Sequence, residues 1–443
     1  MQTKPNIFLI TVDSLRCDHL GCYGYRKPTS PNIDAFAQHS TLFTHAFSNG
    51  PNTPHAFPAI MAARESLKSM KLGLFDAPAT LAETLCAHGY ATIGFNAANP
   101  YVSRYFHYHR GFDEFHDYLD FEIRVDEGHG DSSFIAVPQL EIDKYVISEE
   151  SIKAKATLEA TINAEIFEFI TRLRDEPFFM WVHYMDTHYP YLPQLQPQLE
   201  LNMEPISKEE NFALNVCVRE NMGISSRERK TLIRLYDAAV RQLDTKIAEL
   251  LHFLKRHDLF ESALIILTAD HGEEFVDHGD LQHKSKLFEE LMHVPFILKR
   301  PFQKTGECQH FASLLQLAPT IVTEAGMGNP FDHRSVFDVS EPETDGIEAS
   351  TVFASASYGK NGGAPVEQDL LNIDPLPKRY SCRDQRWKYM HDSASNEDLL
   401  FDLVADPMEV RNVAEEETDR AISLRDRLQN YAVTLEQARL KSR

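Results

Sequence analysis

The sequence predicts an α/β fold: a large, mostly parallel sheet sandwiched by helices, followed by a small C-terminal antiparallel sheet with a closing helix. Three observations carry this. Strand-like apolar runs at 6–12, 91–95, 178–184, 263–269 and 294–299 alternate with helical patterns, the order that builds a parallel sheet covered on both faces. Two of these runs, Asn6-Ile-Phe-Leu-Ile-Thr-Val-Asp13 and Ala263-Leu-Ile-Ile-Leu-Thr-Ala-Asp270-His271-Gly272, stop abruptly in polar side chains, as expected where buried parallel strands deliver residues to a shared carboxyl edge. Beyond Pro330 the pattern changes to short strands followed by one helix.

The elements follow in order. Residues 6–12 form the first buried strand. The segment Ser48-Asn-Gly-Pro-Asn-Thr53-Pro54 leads directly into a helical stretch ending near Arg64, which places Thr53 at or near a helix N-cap. A short helix at 81–88 precedes the strand at 91–95. Residues 121–150 turn acidic and Gly-containing, and 192–226 lose clear periodicity; both are read as insertions facing a substrate, because irregular stretches of that length are uncommon in a compact domain without such a role. At 227–255, Leu232, Leu235, Ala239, Leu243, Ile247 and Leu250 recur at helical spacing, predicting the longest helix, its apolar face in the core. Short strands at 351–355, 379–383 and 387–390, the segment 399–403 and a helix at 415–441 complete the chain. The expected division is a catalytic α/β domain at 1–335 and a C-terminal subdomain at 336–443.

A chain of 443 residues with 43% apolar content can bury a substantial core. Its formal charge of -22 excludes nucleic acid as a sequence-independent partner, since phosphate neutralisation needs a surplus of Lys and Arg. Apolar runs fall short of the roughly 18 residues that cross a bilayer, and Met1-Gln-Thr-Lys-Pro enters the first strand without a secretory core; a cytoplasmic location is expected. The six cysteines are scattered without a CxxC pair, which fits reduced structural thiols.

Two carboxylates and an imidazole brought to one sheet edge can hold a divalent cation. At Thr53, free backbone amides and the helix dipole favour an anion, and a hydroxyl held there beside a cation can become an alkoxide nucleophile.

With these pieces stand Leu15-Arg16-Cys-Asp18 through Gly24, His183-Tyr-Met-Asp186-Thr-His188, Tyr236-Asp with Asp244, Lys284-Ser-Lys-Leu-Phe-Glu-Glu with Val294-Pro, Leu317-Ala-Pro319-Thr320, Trp387-Lys-Tyr and Asp406-Pro. In this order, and across nearly the whole chain, they resemble the sulfatase-like branch of the alkaline phosphatase superfamily.

The departures are informative. Sulfatases of this branch carry a Cys or Ser, converted to formylglycine, in a Cys-x-Pro-Ser-Arg loop; the equivalent position here is Thr53, which cannot undergo that conversion. Phe57 replaces the loop Arg, and Asn96-Ala-Ala-Asn99 stands where a Lys and His are expected. Thr53 with Pro58 instead resembles the nucleophile loop of phosphoethanolamine transferases. The doublet Asp270-His271 resembles those enzymes, lipoteichoic acid synthases and phosphonate monoester hydrolases.

The resemblance therefore implies a metal-dependent hydrolase or transferase cleaving an anionic ester, a phosphodiester or phosphonate ester, through a covalent Thr53 intermediate. Asp13, Asp270 and His271 are the implied metal ligands, completed by Thr53, with Ser14 contributing weakly. One divalent ion is expected, zinc or manganese favoured over calcium because imidazole joins the set. His188 and His283 are implied to hold the transferred group or protonate the leaving oxygen, Lys284 to neutralise its charge and Asn99 to donate a hydrogen bond. Asp186 is not expected to form a second metal site. Arg16 and Asp18 are read as a local ion pair; His183 has little motif support, and His55, His278 and His293 are read as structural or loop residues. The implied partner is a small-molecule, glycan or lipid-headgroup ester, with no nucleic acid and no membrane span; oligomeric state has no signal. The alternatives are a sulfatase working without formylglycine and a non-catalytic, metal-containing binding protein.

Overall fold

The computed structural model describes residues 4–119, 149–173, 176–303, 306–338, 351–359, 362, 365 and 367–442. The strands are β1 (Ile7–Val12), β2 (Thr41–Phe47), β3 (Ala91–Asn96), β4 (Glu114–His116), β5 (Phe178–Tyr184), β6 (Leu264–Ala269), the two-residue β7 (Glu274–Phe275) and β8 (Leu281–Gln282), β9 (Phe296–Lys299), β10 (Gly306–Ser313), β11 (Val352–Ser357), β12 (Lys378–Arg383), β13 (Trp387–Asp392) and β14 (Glu397–Asp402). Eight of them form one sheet in the order β10-β2-β9-β6-β1-β5-β3-β4. Within it β9 pairs antiparallel with both β2 and β6, while every other pairing is parallel.

The central strands are those the sequence marks most clearly. β1, β5 and β6 are buried at every residue, as continuous apolar runs require when helices cover both faces of a sheet. Edge strands are less legible. β10 is mostly exposed and β4 spans three residues, and β2 lacks a clean alternation of apolar and polar positions; none of the three is anticipated from the sequence.

The longest helix runs Ser226–Arg256, opened by a capping box between Ser225 and Glu228, with Leu232, Leu235, Leu243, Ile247 and Leu250 buried as their spacing predicts. The 192–226 stretch differs from expectation: it folds into helices at Leu195–Glu200 and Lys208–Arg219. The second buries only Leu214, Asn215 and Val218, so few apolar positions mark its period. The acidic stretch at 121–150 lies outside the described residues, except for the first turn of the helix Glu149–Arg172.

β11 to β14 form an antiparallel four-stranded sheet in sequence order, against which the helix Thr418–Lys441 packs through Ala421, Leu424 and Leu428. Val336 is buried in the main core and its amide donates to Thr320 Oγ1 at 3.0 Å. His55, in the helix Thr53–Ala62, ties the start of that helix to the C-terminal sheet: its Nδ1 meets Asn52 Oδ1 at 2.6 Å and its Nε2 accepts the Ser357 amide at 3.0 Å. A residue read as structural thus fastens the Thr53 loop to β11.

Candidate active site

Strand register builds the site. Val12 of β1 stands opposite Ala269 of β6 and Tyr184 of β5, so the next residues, Asp13 and Asp270, leave the sheet at one level. Both are fully buried. On the other side of β1, Thr11 is opposite His183, which is in turn opposite Asn96 of β3.

Thr53 comes from the helix Thr53–Ala62 and is its first residue; Asn52 is the N-cap and Pro54 follows in the first turn. Thr53 thus stands next to the N-cap, within the range its sequence setting allows, while the Asn52 side chain is turned to His55 and to Ser285 Oγ at 3.2 Å. The Thr53 hydroxyl donates to Asp13 Oδ2 at 3.2 Å and lies 3.4 Å from His271 Nε2 and from Asn99 Nδ2. Residues separated by more than two hundred positions thus surround one hydroxyl.

Asp13 accepts on both oxygens, from Asn99 Nδ2 at 2.6 Å, Thr53 and Ser14 Oγ at 2.7 Å. Burial alone would raise its carboxyl, yet His188, His183 and His271 hold it well below the usual carboxylate range. Asp270 goes the other way. Burial and the adjacent charge of Asp13 push it up to about 8, the expected result when two carboxylates share a dry site. Its Oδ1 receives the amides of Ser14 and His271 at 3.2 and 2.9 Å, whereas Oδ2 is buried without a hydrogen-bond partner. His271 Nε2 lies 3.5 Å from that oxygen and 3.7 Å from Asp13 Oδ1, while its Nδ1 is tied to the Gly272 carbonyl at 2.8 Å. Burial and neighbouring His283 push His271 down to about 4, so it is neutral and has a nitrogen for a metal.

An orphaned oxygen on Asp270, a second buried carboxyl beside it and a neutral imidazole fit a divalent cation. Asp13, His183 and Asp270 have potential ligand atoms within 4.8 Å of one another. His183, which has little motif support in the sequence, therefore joins the neighbourhood; its Nε2 is 3.5 Å from Asp13 Oδ2 and its Nδ1 2.9 Å from Thr11 Oγ1. Its place follows from the register of β5, a signal the sequence of β5 alone does not contain.

The remaining predicted residues form a rim. The His283 ring lies 4.5 Å from the His271 ring and 5.1 Å from that of His188, making a row of three imidazoles. His188 Nδ1 is bonded to the Tyr189 carbonyl. Lys284 pairs with Asp280 rather than with the Thr53 group, and Lys286 pairs with Asp280 and Glu274. Asp186 is occupied by Lys246 and Gln242. Arg16 bonds Asp18 through two nitrogens, and also Asp277 and the Glu273 carbonyl. Phe57 is buried edge-on against Trp181, Tyr108 and His183, an apolar wall where the loop arginine of the resembled family would stand.

The sulfatase family pattern matches residues 5–327. Choline-sulfatase of Rhizobium meliloti (strain 1021) is 24% identical over 93% of this chain and 83% of its own length. Two solved structures share the fold. Phosphonate monoester hydrolase of Agrobacterium radiobacter has a TM-score of 0.69 at 20% identity, covering 99% of this chain and 96% of its own. A protein solved in complex with its substrate D-glucosamine-2-N,6-O-disulfate has a TM-score of 0.71 at 18% identity, covering 98% and 99%. With 5–327 matched across the strands that carry Asp13, His183 and Asp270, the chain belongs to the sulfatase family, within the alkaline phosphatase superfamily, and is a hydrolase.

Proposed function

We propose that this hydrolase cleaves a phosphonate monoester or phosphodiester through a covalent phosphorus ester on Thr53, a threonyl phosphonate or a threonyl phosphodiester according to the substrate. One observation carries the reading: an unmodifiable hydroxyl, almost fully buried at the first residue of a helix, hydrogen-bonded to Asp13 and within 3.4 Å of His271 and Asn99. Asp13, Asp270, His271 and the Thr53 oxygen would hold the cation, zinc or manganese in preference to calcium, with His183 beside them. Such an ion lowers the pKa of an adjacent hydroxyl and screens the charge of the ester.

The Thr53 hydroxyl releases its proton along its hydrogen bond to Asp13 Oδ2, and its Oγ1 forms a bond to phosphorus while the bond from phosphorus to the leaving oxygen breaks. His188 or His283 gives a proton to that oxygen. Water then attacks phosphorus, the P–Oγ1 bond breaks, the histidine recovers its proton from the water, and Thr53 regains its own. Asn99 orients the hydroxyl and the transferred group. Lys284 neutralises that group on exchanging Asp280 for it. We take 1–335 as the catalytic domain and 336–443 as a subdomain that braces the Thr53 loop through His55.

Release of nitrophenol from a phosphonate monoester, a phosphodiester and a sulfate tests this. The phosphorus esters are expected to be preferred, with Thr53→Ala lowering kcat by at least about a thousandfold and the wild type giving a Thr53 peptide that carries the phosphorus ester on acid quenching. Choline-sulfatase, matched over 93% of this chain, favours a second reading in which Thr53 takes a sulfuryl group; a sulfate preference abolished by Thr53→Ala would establish it. Metal binding without turnover of any ester would leave the binding-protein alternative.

A further inference from the structure

We propose that Glu273 is a positioning residue for this reaction: it fixes the His283 imidazole in one orientation and holds a proton on its Nδ1. The inference rests on the reading of Thr53 as nucleophile. Glu273 follows the Asp270-His271-Gly272 turn and its carboxylate is fully buried. Its backbone is pinned, the amide donating to the Glu290 carbonyl at 3.2 Å and the carbonyl accepting from Arg16 Nη1 at 2.9 Å. Oε2 accepts the Tyr191 hydroxyl at 2.6 Å, and Oε1 accepts from His283 Nδ1 at 2.9 Å.

Tyr191 is itself held. It is fully buried, its amide donates to Asn215 Oδ1, and its ring packs edge-on against Tyr236 and at a tilt against Phe275. A carboxylate accepts hydrogen bonds and donates none, so a carboxylate fixed in this way dictates that the His283 proton sits on Nδ1. In the neutral imidazole Nε2 is then the bare nitrogen; Ser14 Oγ also lies 3.5 Å from Nδ1. The ring is correspondingly set between His271 and His188.

Burying a carboxylate is costly, and an apolar side chain would fill the same space without that cost. The expense is explained if His283 must be held in one orientation. That need is increased because Phe57 stands where the resemblance places a loop arginine. This is the arrangement in which an acid, a base and an orienting carboxylate act as a unit.

The test compares Glu273→Gln, His283→Gln and the double variant on a nitrophenyl phosphonate ester, with thermal midpoints and zinc stoichiometry as folding controls. His283→Gln is expected to lower kcat about 100-fold and Glu273→Gln about 10- to 100-fold, KM changing little. The double variant is expected to match His283→Gln, because residues acting through one another are not additive. Additive losses, or a Glu273→Gln variant with wild-type kcat, would overturn the proposal while leaving Thr53 in place. Retained activity in Thr53→Ala would instead overturn the nucleophile reading. Independently of turnover, side-chain nitrogen correlations of 15N-histidine protein, with His283 assigned from His283→Gln, should show the proton on Nδ1 and its loss of preference in Glu273→Gln; a bare Nδ1 in the wild type refutes the inference.

Discussion

The floor of the pocket and its rim are built on opposite principles. The floor, Asp13, Thr53, Asp270 and His271, is sealed from solvent and leaves charge unbalanced, with Asp270 Oδ2 unpartnered. The rim between Glu273 and Glu290 has its charges already paired: His283 with Glu273, Lys284 with Asp280, Lys286 with Glu274 and His278 with Glu290. Strand ends locked in register give the floor a geometry that cannot relax, so its strain is relieved by something bound. The partly exposed lysine pairs with Asp280 can exchange partners at small cost, whereas the buried Glu273–His283 pair is held in place. The floor and His283 accordingly suit the chemistry, and the lysine pairs suit selection among esters.

The strongest way to break this contrast is at the floor. Asp270→Asn should lower zinc or manganese affinity by at least about 100-fold, more than the loss of an outer-sphere partner would, as read by titration calorimetry; an unchanged affinity would place the cation elsewhere. The same variant sharpens the electrostatic side. In chelated protein Asp270 holds its proton up to about 8, whereas an unfolded Asp releases it near about 4. The native state therefore binds more protons between those values, and its stability falls as pH rises through them. Denaturant titrations should show that decline in the wild type and a flatter profile in Asp270→Asn.

A smaller effect is expected where the floor meets the C-terminal sheet. Burial pushes His55 down to about 3, below its unfolded value near about 6.5. Its contribution is thus present above that upper value and is lost as pH falls toward the lower one, by up to about 1.4 kcal/mol per pH unit. His55→Gln should lose less stability than the wild type on acidification from neutral pH; parallel profiles would show that His55 is not buried as a neutral link. The smallest effect belongs to the rim. Asp280→Ala removes the partner of Lys284 and part of that of Lys286 and should change stability by less than about 1 kcal/mol, with KM moving more than kcat in the ester assay. A collapse of kcat would mean that the Lys284–Asp280 pair, like Glu273–His283, has fixed geometry.

Legibility followed burial. β1, β5 and β6 were readable because strands covered on both faces are continuous apolar runs, and the helix Ser226–Arg256 because one face of it repeats from Leu232 to Leu254, through about six turns. β2, β4 and β10 lie toward the sheet edges, where composition no longer reports pairing, and the Lys208–Arg219 helix buries too little to show a period. At the site, Asp13, Thr53, Asp270 and His271 could be selected from their local settings, each being a polar residue terminating an apolar strand or opening a helix. His183 and Glu273 could not, since one is inside an apolar strand and the other in an acidic doublet, and only their neighbours across the fold distinguish them.

The sequence by itself determined the α/β architecture, the family and the chemical types gathered at the carboxyl edge, because apolar periodicity and strand-terminal residues are local properties of the chain. The tertiary structure alone decided that Asp13 and Asp270 stand at one level, that Lys284 is held by Asp280 and that Glu273 reaches His283. These depend on strand register and on packing between segments hundreds of residues apart, where distance and burial set the charge of a group and its partner.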